Sequence, residues 1–179
     1  MFMGAYWGSR RETREEVALR LAGFLYLLSA SDSRLSVWYL KGDSRKTAKQ
    51  KITADLRGVA VALTGNRRDA DNETIPELGL SFAAWNGQDV SLSCTMGACH
   101  PLFQNRVVVS QNALPGSGFS EQRREILSAA VATFRPEHAV VTGHEVMIGA
   151  DADDPWGAGW LIFQNGELRE DSSFCQEVV

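Results

Sequence analysis

Cys94, Cys99 and His100 are the closest grouping of soft donors in the chain, and thiolate sulfur with imidazole is the ligand chemistry that zinc prefers. The spacing does not support a metal. Cys94-x4-Cys99-His100 has no second ligand pair downstream, and Cys175 would have to return from the far end of the sequence. Ordinary buried or half-exposed thiols are the better reading. A cysteine or serine nucleophile would need a histidine base within hydrogen-bond reach, a group to orient it, and an oxyanion hole. His100, His138 and His144 are the histidines available. Gly116-Ser117-Gly118 comes nearest to a nucleophile elbow, but it sits in a loop just before a helix cap at Ser120 and not on a strand-to-helix turn. No P-loop spacing and no G-x-G-x-x-G after a strand offers a phosphate cradle.

Asp151-Ala-Asp153-Asp154, with Glu145 upstream, holds the type of oxygen donor that hard cations take in numbers. With a divalent metal, Glu145 and Asp151–Asp154 would make the site of a small hydrolase or nuclease. Against this, Pro155 and Trp156 stand where a calcium loop needs its glycine turn, and no nearby lysine completes a nuclease-like set. A solvated acidic turn or an acidic patch for a protein partner fits better. Of five tryptophans, Trp7, Trp38, Trp85 and Trp160 lie in apolar runs, whereas Trp156 lies among Asp153, Asp154, Pro155 and Gly157 and is expected at the surface. A rigid aromatic beside carboxylates suits a protein interface. Asp151, Asp153, Asp154 and Trp156 are therefore the candidate partner-binding residues, with no catalytic residue, cofactor or metal expected.

Charge is unevenly spread. Residues 1–57 hold 11 basic against 6 acidic side chains, whereas residues 150–179 hold 1 against 7. Arg10, Arg11 and Arg14 form one basic cluster and Arg45, Lys46, Lys49 and Lys51 another; with a net charge of -4 overall, solvated helix faces explain them better than nucleic acid does. The apolar run Val17–Leu28, broken by Arg20, is too short to span a membrane and reads as a buried helix. No basic region precedes the apolar N-terminus as in a signal peptide, and three cysteines make no disulfide framework, so a cytoplasmic location is expected.

The elements that would carry these residues follow from periodicity. At 179 residues with 44% hydrophobic content, one domain spanning 1–179 can build a real core. A strand is predicted over 2–7. A helix follows, started by the capping box of Ser9 with Glu12 or of Thr13 with Glu16, with Val17, Leu21, Phe24, Leu25 and Leu28 on one face. A strand over Leu35–Leu40 and a helix over 46–64 come next, the latter weakened by Gly58. Leu78–Trp85 and Val90–Met96 should pair as a hairpin through Asn86-Gly87. A strand at Arg106–Ser110, a helix from Ser120 to Pro136, and strands at Ala139–Thr142, Val146–Ile148 and Trp160–Phe163 complete the pattern, with a last turn at Asn165-Gly166. The expected class is α+β: a largely antiparallel or mixed sheet with about three helices on one face. Self-association through tryptophan-bearing strand edges is left open.

Tyr6-Trp7-Gly8-Ser9-Arg10 running into a Glu-rich helix start, the Trp38 strand and the closing Gly157-Ala-Gly-Trp160-Leu-Ile-Phe163 resemble the immunity protein 52 family of bacterial polymorphic toxin systems. The likeness spans most of the chain. It implies a non-enzymatic α+β protein encoded beside a toxin, of the type VI secretion kind, that has a restriction-endonuclease-like domain. Such a protein neutralises the toxin by direct binding inside the producing cell. No site residues come with the resemblance.

Overall fold

The computed structural model describes residues 1–42, 48, 50–65, 73–111, 119–143 and 161–170. Three α-helices and ten strands lie within them. In chain order these are β1 (Phe2–Trp7), α1 (Arg14–Ser31), β2 (Trp38–Leu40), β3 (Lys51–Ile52), α2 (Leu56–Ala62), β4 (Thr64–Gly65), β5 (Leu80–Trp85), β6 (Val90–Met96), β7 (Asn105–Gln111), α3 (Phe119–Phe134), β8 (His138–Thr142), β9 (Leu161–Gln164) and β10 (Glu167–Glu170). The strands form one sheet in the order β10-β9-β8-β1-β7-β6-β5-β2-β3, with β4 beside β5. Every pairing is antiparallel. The expected α+β class therefore holds, without any parallel pair among the described residues.

Side chains alternate across a strand, so register decides which residues reach the core. Met3, Ala5 and Trp7 of β1 stand opposite Val109, Val107 and Asn105 of β7, and the row continues into Leu92 and Cys94 of β6 and Ala84 and Phe82 of β5. All of these are buried. The helices close this face. From α1 come Val17, Leu21, Phe24, Leu25 and Leu28, and from α3 Ile126, Leu127, Ala130 and Phe134. Phe134 stacks on Trp7 with centroids 5.5 Å apart and meets Phe24 edge-on at 5.0 Å, joining sheet and both helices in one aromatic contact.

Local chemistry sets the helix ends. Thr13 and Glu16 form the true capping box: the Glu16 carboxylate accepts from Thr13 N at 2.7 Å and Thr13 Oγ1 accepts from Glu16 N at 3.2 Å. Ser9 instead donates to Cys99 O. At the other end, Asp32 accepts from Arg34 N at 2.8 Å and from the Arg34 guanidinium, and the Gln122 amide also donates to it. One carboxylate thus fastens the end of α1 to the following 3-10 turn, Ser33–Leu35, and to α3.

Several expectations give way here. The strand placed at Leu35–Leu40 starts only at Trp38, because Asp32 caps a 3-10 turn over Ser33–Leu35 and Trp38 Nε1 closes it by donating to Leu35 O at 2.8 Å. The helix over 46–64 shrinks to Leu56–Ala62: Lys51 and Ile52 pair with β2, and Asp55 caps the helix by accepting from Gly58 N. Ile52 matched the helical period by coincidence. Gly58 is needed rather than merely tolerated, since a Cβ there would lie 2.2 Å from Thr53 O. Leu78 belongs to a 3-10 turn over Pro76–Leu78, and β5 begins after Gly79 (φ 73°), where a Cβ would meet Met96 O at 2.4 Å. Ser120 lies inside α3 instead of ahead of it. The charged strand β10 was not anticipated. The Val146–Ile148 strand and the loop at 115–118 fall outside the described residues.

Replacing Thr13 by Ala should cost about 1 kcal/mol through loss of the cap, visible as a fall in Tm of roughly 2–4 °C for a chain of this size. Arg34 hydrogen bonds hold the Asp32 carboxyl below its usual range. A carboxyl lowered on folding stabilises above its unfolded pKa and loses that contribution as pH falls through its folded value. Asp32→Asn should thus be less stable than the parent at neutral pH, the two stability curves converging in acid; parallel curves in urea titrations would show that Asp32 has no such linkage.

Candidate functional site

The reactive side chains considered above do not converge among the described residues. Cys94 points to the helix-covered face of β6, 4% exposed, and burial pushes its thiol well above the usual range. Cys99 is half-buried on the turn after β6. His100 packs edge-on against Phe103 at 5.4 Å and accepts from Leu102 N through Nδ1. No group of three or more His, Cys, Asp or Glu side chains that could hold a metal occurs among the described residues. Glu145, His144, Cys175 and the candidate contacts Asp151, Asp153, Asp154 and Trp156 lie outside them.

Two members of the N-terminal basic cluster, Arg10 and Arg14, have structural tasks beyond the solvated face expected, whereas Arg11 is exposed. Arg10 lies over the Trp7 ring at 5.5 Å and donates to Phe134 O at 2.8 Å and Arg135 O at 3.3 Å, binding the segment after β1 to the end of α3. Arg14 donates to Leu63 O at 2.8 Å and Ala60 O at 3.1 Å, satisfying the carbonyls at the end of α2. Of the second cluster only Lys51 is described, exposed on β3.

Two broad surfaces remain. The first is the sheet face away from the helices, where the same registers bring together Phe2, Tyr6, Val108, Trp85 and Ile162, half-buried, with Ser91, Ser93, Thr95 and Ser110 between them. At its middle Gly4 lets the Tyr6 ring lie over the backbone, where a Cβ would come within 2.5 Å of it, and both Gly4 and its neighbour Val140 are buried. Trp85 Nε1 donates to Ala48 O at 3.0 Å. The second is the outward side of α1. The helix was expected to be buried, but Leu19, Tyr26 and Leu27 are 63%, 70% and 38% exposed, so α1 is apolar on both sides and not on one. Periodicity could have found this, since Leu19, Gly23, Tyr26, Leu27 and Ala30 also recur at helical spacing.

Strand register also gathers one end of the sheet. Phe2, Ser110 and Thr142 stand side by side across β1, β7 and β8, and Val141 faces Leu161 of β9. The chain leaving β8 and the chain entering β9 thus share that end, close to where β7 finishes.

The fold is thus a helix-backed antiparallel sheet in which the reactive groups considered do not converge among the described residues. The family model described as immunity protein 52 matches residues 1–168, nearly the whole chain. The chain belongs to the immunity protein 52 family. Membership implies a cognate toxin as partner. No curated protein matches the sequence. None of the described helices is long and apolar enough to cross a membrane.

In a background with Cys99 and Cys175 replaced by Ser, Cys94 should resist a thiol-labelling reagent until the protein unfolds, at a rate that follows urea-induced unfolding. Rapid labelling of the native protein would contradict the buried setting of β6.

Proposed function

We propose that this immunity protein binds its cognate toxin directly and silences it in the cytoplasm of the producing cell, the whole chain 1–179 acting as one domain. The family match over residues 1–168 carries the reading. The toxin we infer is a type VI effector with a nuclease domain of restriction-endonuclease fold. A nuclease must present a basic cleft to phosphates, and carboxylates with an adjoining aromatic anchor can fill such a cleft. Asp151, Asp153, Asp154 and Trp156 supply that chemistry. Their segment is tethered at both ends to the gathered end of the sheet, by Thr142 and Leu161. In this mechanism the immunity protein contributes no reacting group. Catalysis by the toxin stops because the substrate's phosphates are displaced by side chains that cannot be cleaved.

Titrating the toxin domain encoded beside this protein with purified immunity protein should abolish its activity at a stoichiometric ratio. Continued activity at several-fold excess of a properly folded immunity protein would sink the proposal. Asp153→Lys together with Asp154→Lys should slow association by about tenfold at low ionic strength, with the difference shrinking as salt is added. An unchanged association rate would remove these aspartates from the interface while leaving neutralisation itself intact.

A further inference from the structure

The outward side of α1 bears a feature that the fold does not need. Gly23 sits in the middle of an 18-residue helix, where glycine is the poorest helix former after proline. Glycines elsewhere have a reason in close packing or positive φ: Gly58, Gly65 and Gly79 would each drive a Cβ into a neighbour at under 2.5 Å. Gly23 has neither reason. Nothing lies within 4 Å of a Cβ built on it, and its φ is not positive. The residues one turn away on either side, Leu19 and Tyr26 with Leu27, are large, apolar and exposed. The resulting surface is a ridge of hydrophobic side chains with a notch at its centre, open to solvent.

The charges around it have a sign. Arginines of α1 and α3 are already engaged inside the molecule: Arg14 with the carbonyls of α2, Arg20 with Glu12 at 2.6 Å, and Arg124 with Glu170. Glu15 lies one turn before Leu19 on the same stripe, and Glu121 and Glu125 lie on the outward side of α3, which packs antiparallel to α1. All three are exposed, and none makes an ion pair among the described residues. On the α3 side the open charge flanking the stripe is negative, while on the α2 side Arg57 is exposed.

We propose that the Leu19–Gly23–Tyr26–Leu27 stripe of α1 is a docking surface for the cognate toxin, accepting an aliphatic or aromatic side chain in the notch over Gly23 and basic side chains against Glu15, Glu121 and Glu125. This deepens the proposed function and rests on it. It assigns the toxin a hydrophobic contact rimmed by lysine or arginine, separate from its phosphate-binding cleft. The contact places the apolar anchor at the centre and the charges at the edge, the arrangement in which buried aromatics carry affinity and rim charges set the association rate.

Because the space over Gly23 is empty, the test can be made without harming the fold. Gly23→Ala should raise Tm by about 2–4 °C. Gly23→Leu, which fills the notch, and Tyr26→Ala should each weaken binding of the purified toxin domain on the order of 30-fold, the effect of losing one interface hot spot. Leu102→Ala, which removes an exposed hydrophobe on the connection between β6 and β7 and off the α1 stripe, serves as control and should bind as the parent does. Wild-type affinity in both folded α1 variants would overturn the docking surface and leave the immunity function standing. Variants that lose only concentration-dependent self-association in sedimentation, with toxin affinity intact, would overturn it too, in favour of an interface between copies. Failure of the unmodified protein to bind the toxin at all would strike the proposed function itself.

Discussion

The fold depends on the double ladder of β1. This strand is hydrogen-bonded along its length to β7 on one side and to β8 on the other, and both neighbours run antiparallel to it. β7 and β8 are therefore parallel to each other with β1 inserted between them, and α3 is the crossover that joins them. The N-terminal strand completes a split β-α-β unit formed by residues more than a hundred positions away. Its register fixes the side of every residue in the unit. A slip by one position would turn Met3, Ala5 and Trp7 to solvent and bring Phe2, Gly4 and Tyr6 under the helices, breaking the Trp7–Phe134 stack. The Met1 amino group donates to Gln111 O at 2.8 Å, and Gln111 N returns a bond to Met1 O, so the ladder is held even beyond the strand's first residue.

From that register the helix layer follows. α1 lies between the other two helices, its inner face taken by the sheet and its flanks by Arg14 to α2 and Arg20 and Asp32 to α3. Contact with so many partners explains an apolar composition on three sides of α1. It does not explain the fourth. Burying a side chain of the size of Leu or Tyr is worth about 1.5–3 kcal/mol, which the isolated protein forgoes at Leu19 and Tyr26, while Gly23 costs it roughly 1 kcal/mol more in helix propensity. These amounts are comparable with a sizeable part of a domain's net stability.

Much of the architecture was legible in the sequence because it came from long, strongly patterned stretches. α1, the β5–β6 hairpin and β7 combine clear periodicity with unambiguous punctuation, including Asn86, which turns inward to accept from Gln88 N and Val90 N while Gly87 supplies the positive φ. Boundaries failed where a side chain overruled propensity. Asp32 and Asp55 each captured backbone donors and so moved an element's start, and no periodic pattern contains that information. β10 was missed for a different reason: Glu-Leu-Arg-Glu is exposed throughout, and charge on an edge strand is how such an edge avoids pairing with another chain. The candidate contacts at 151–156 came from composition alone, and the described residues supply only their tether. The α1 stripe was present in the sequence but hidden, since a helix with two apolar faces looks like one that is simply buried.

A surface used for a toxin has to meet two opposing demands. Before the toxin is made, the protein must remain dispersed, which disfavours a continuous hydrophobic patch. Once the toxin is present, association must be fast and dissociation slow. An interrupted stripe satisfies both better than a continuous one. Gly23 divides the apolar area on α1, so a flat surface from another chain gains little by covering it, whereas a partner that projects one side chain into the gap reaches Leu19, Tyr26 and Leu27 together. Carboxylates at the margin repel a second copy of an already acidic protein and attract a basic one, which raises the encounter rate for the intended partner alone. On this reasoning the helix glycine and the exposed glutamates belong to one device. The glycine limits which shapes can bury the stripe, and the glutamates limit which charges can approach it.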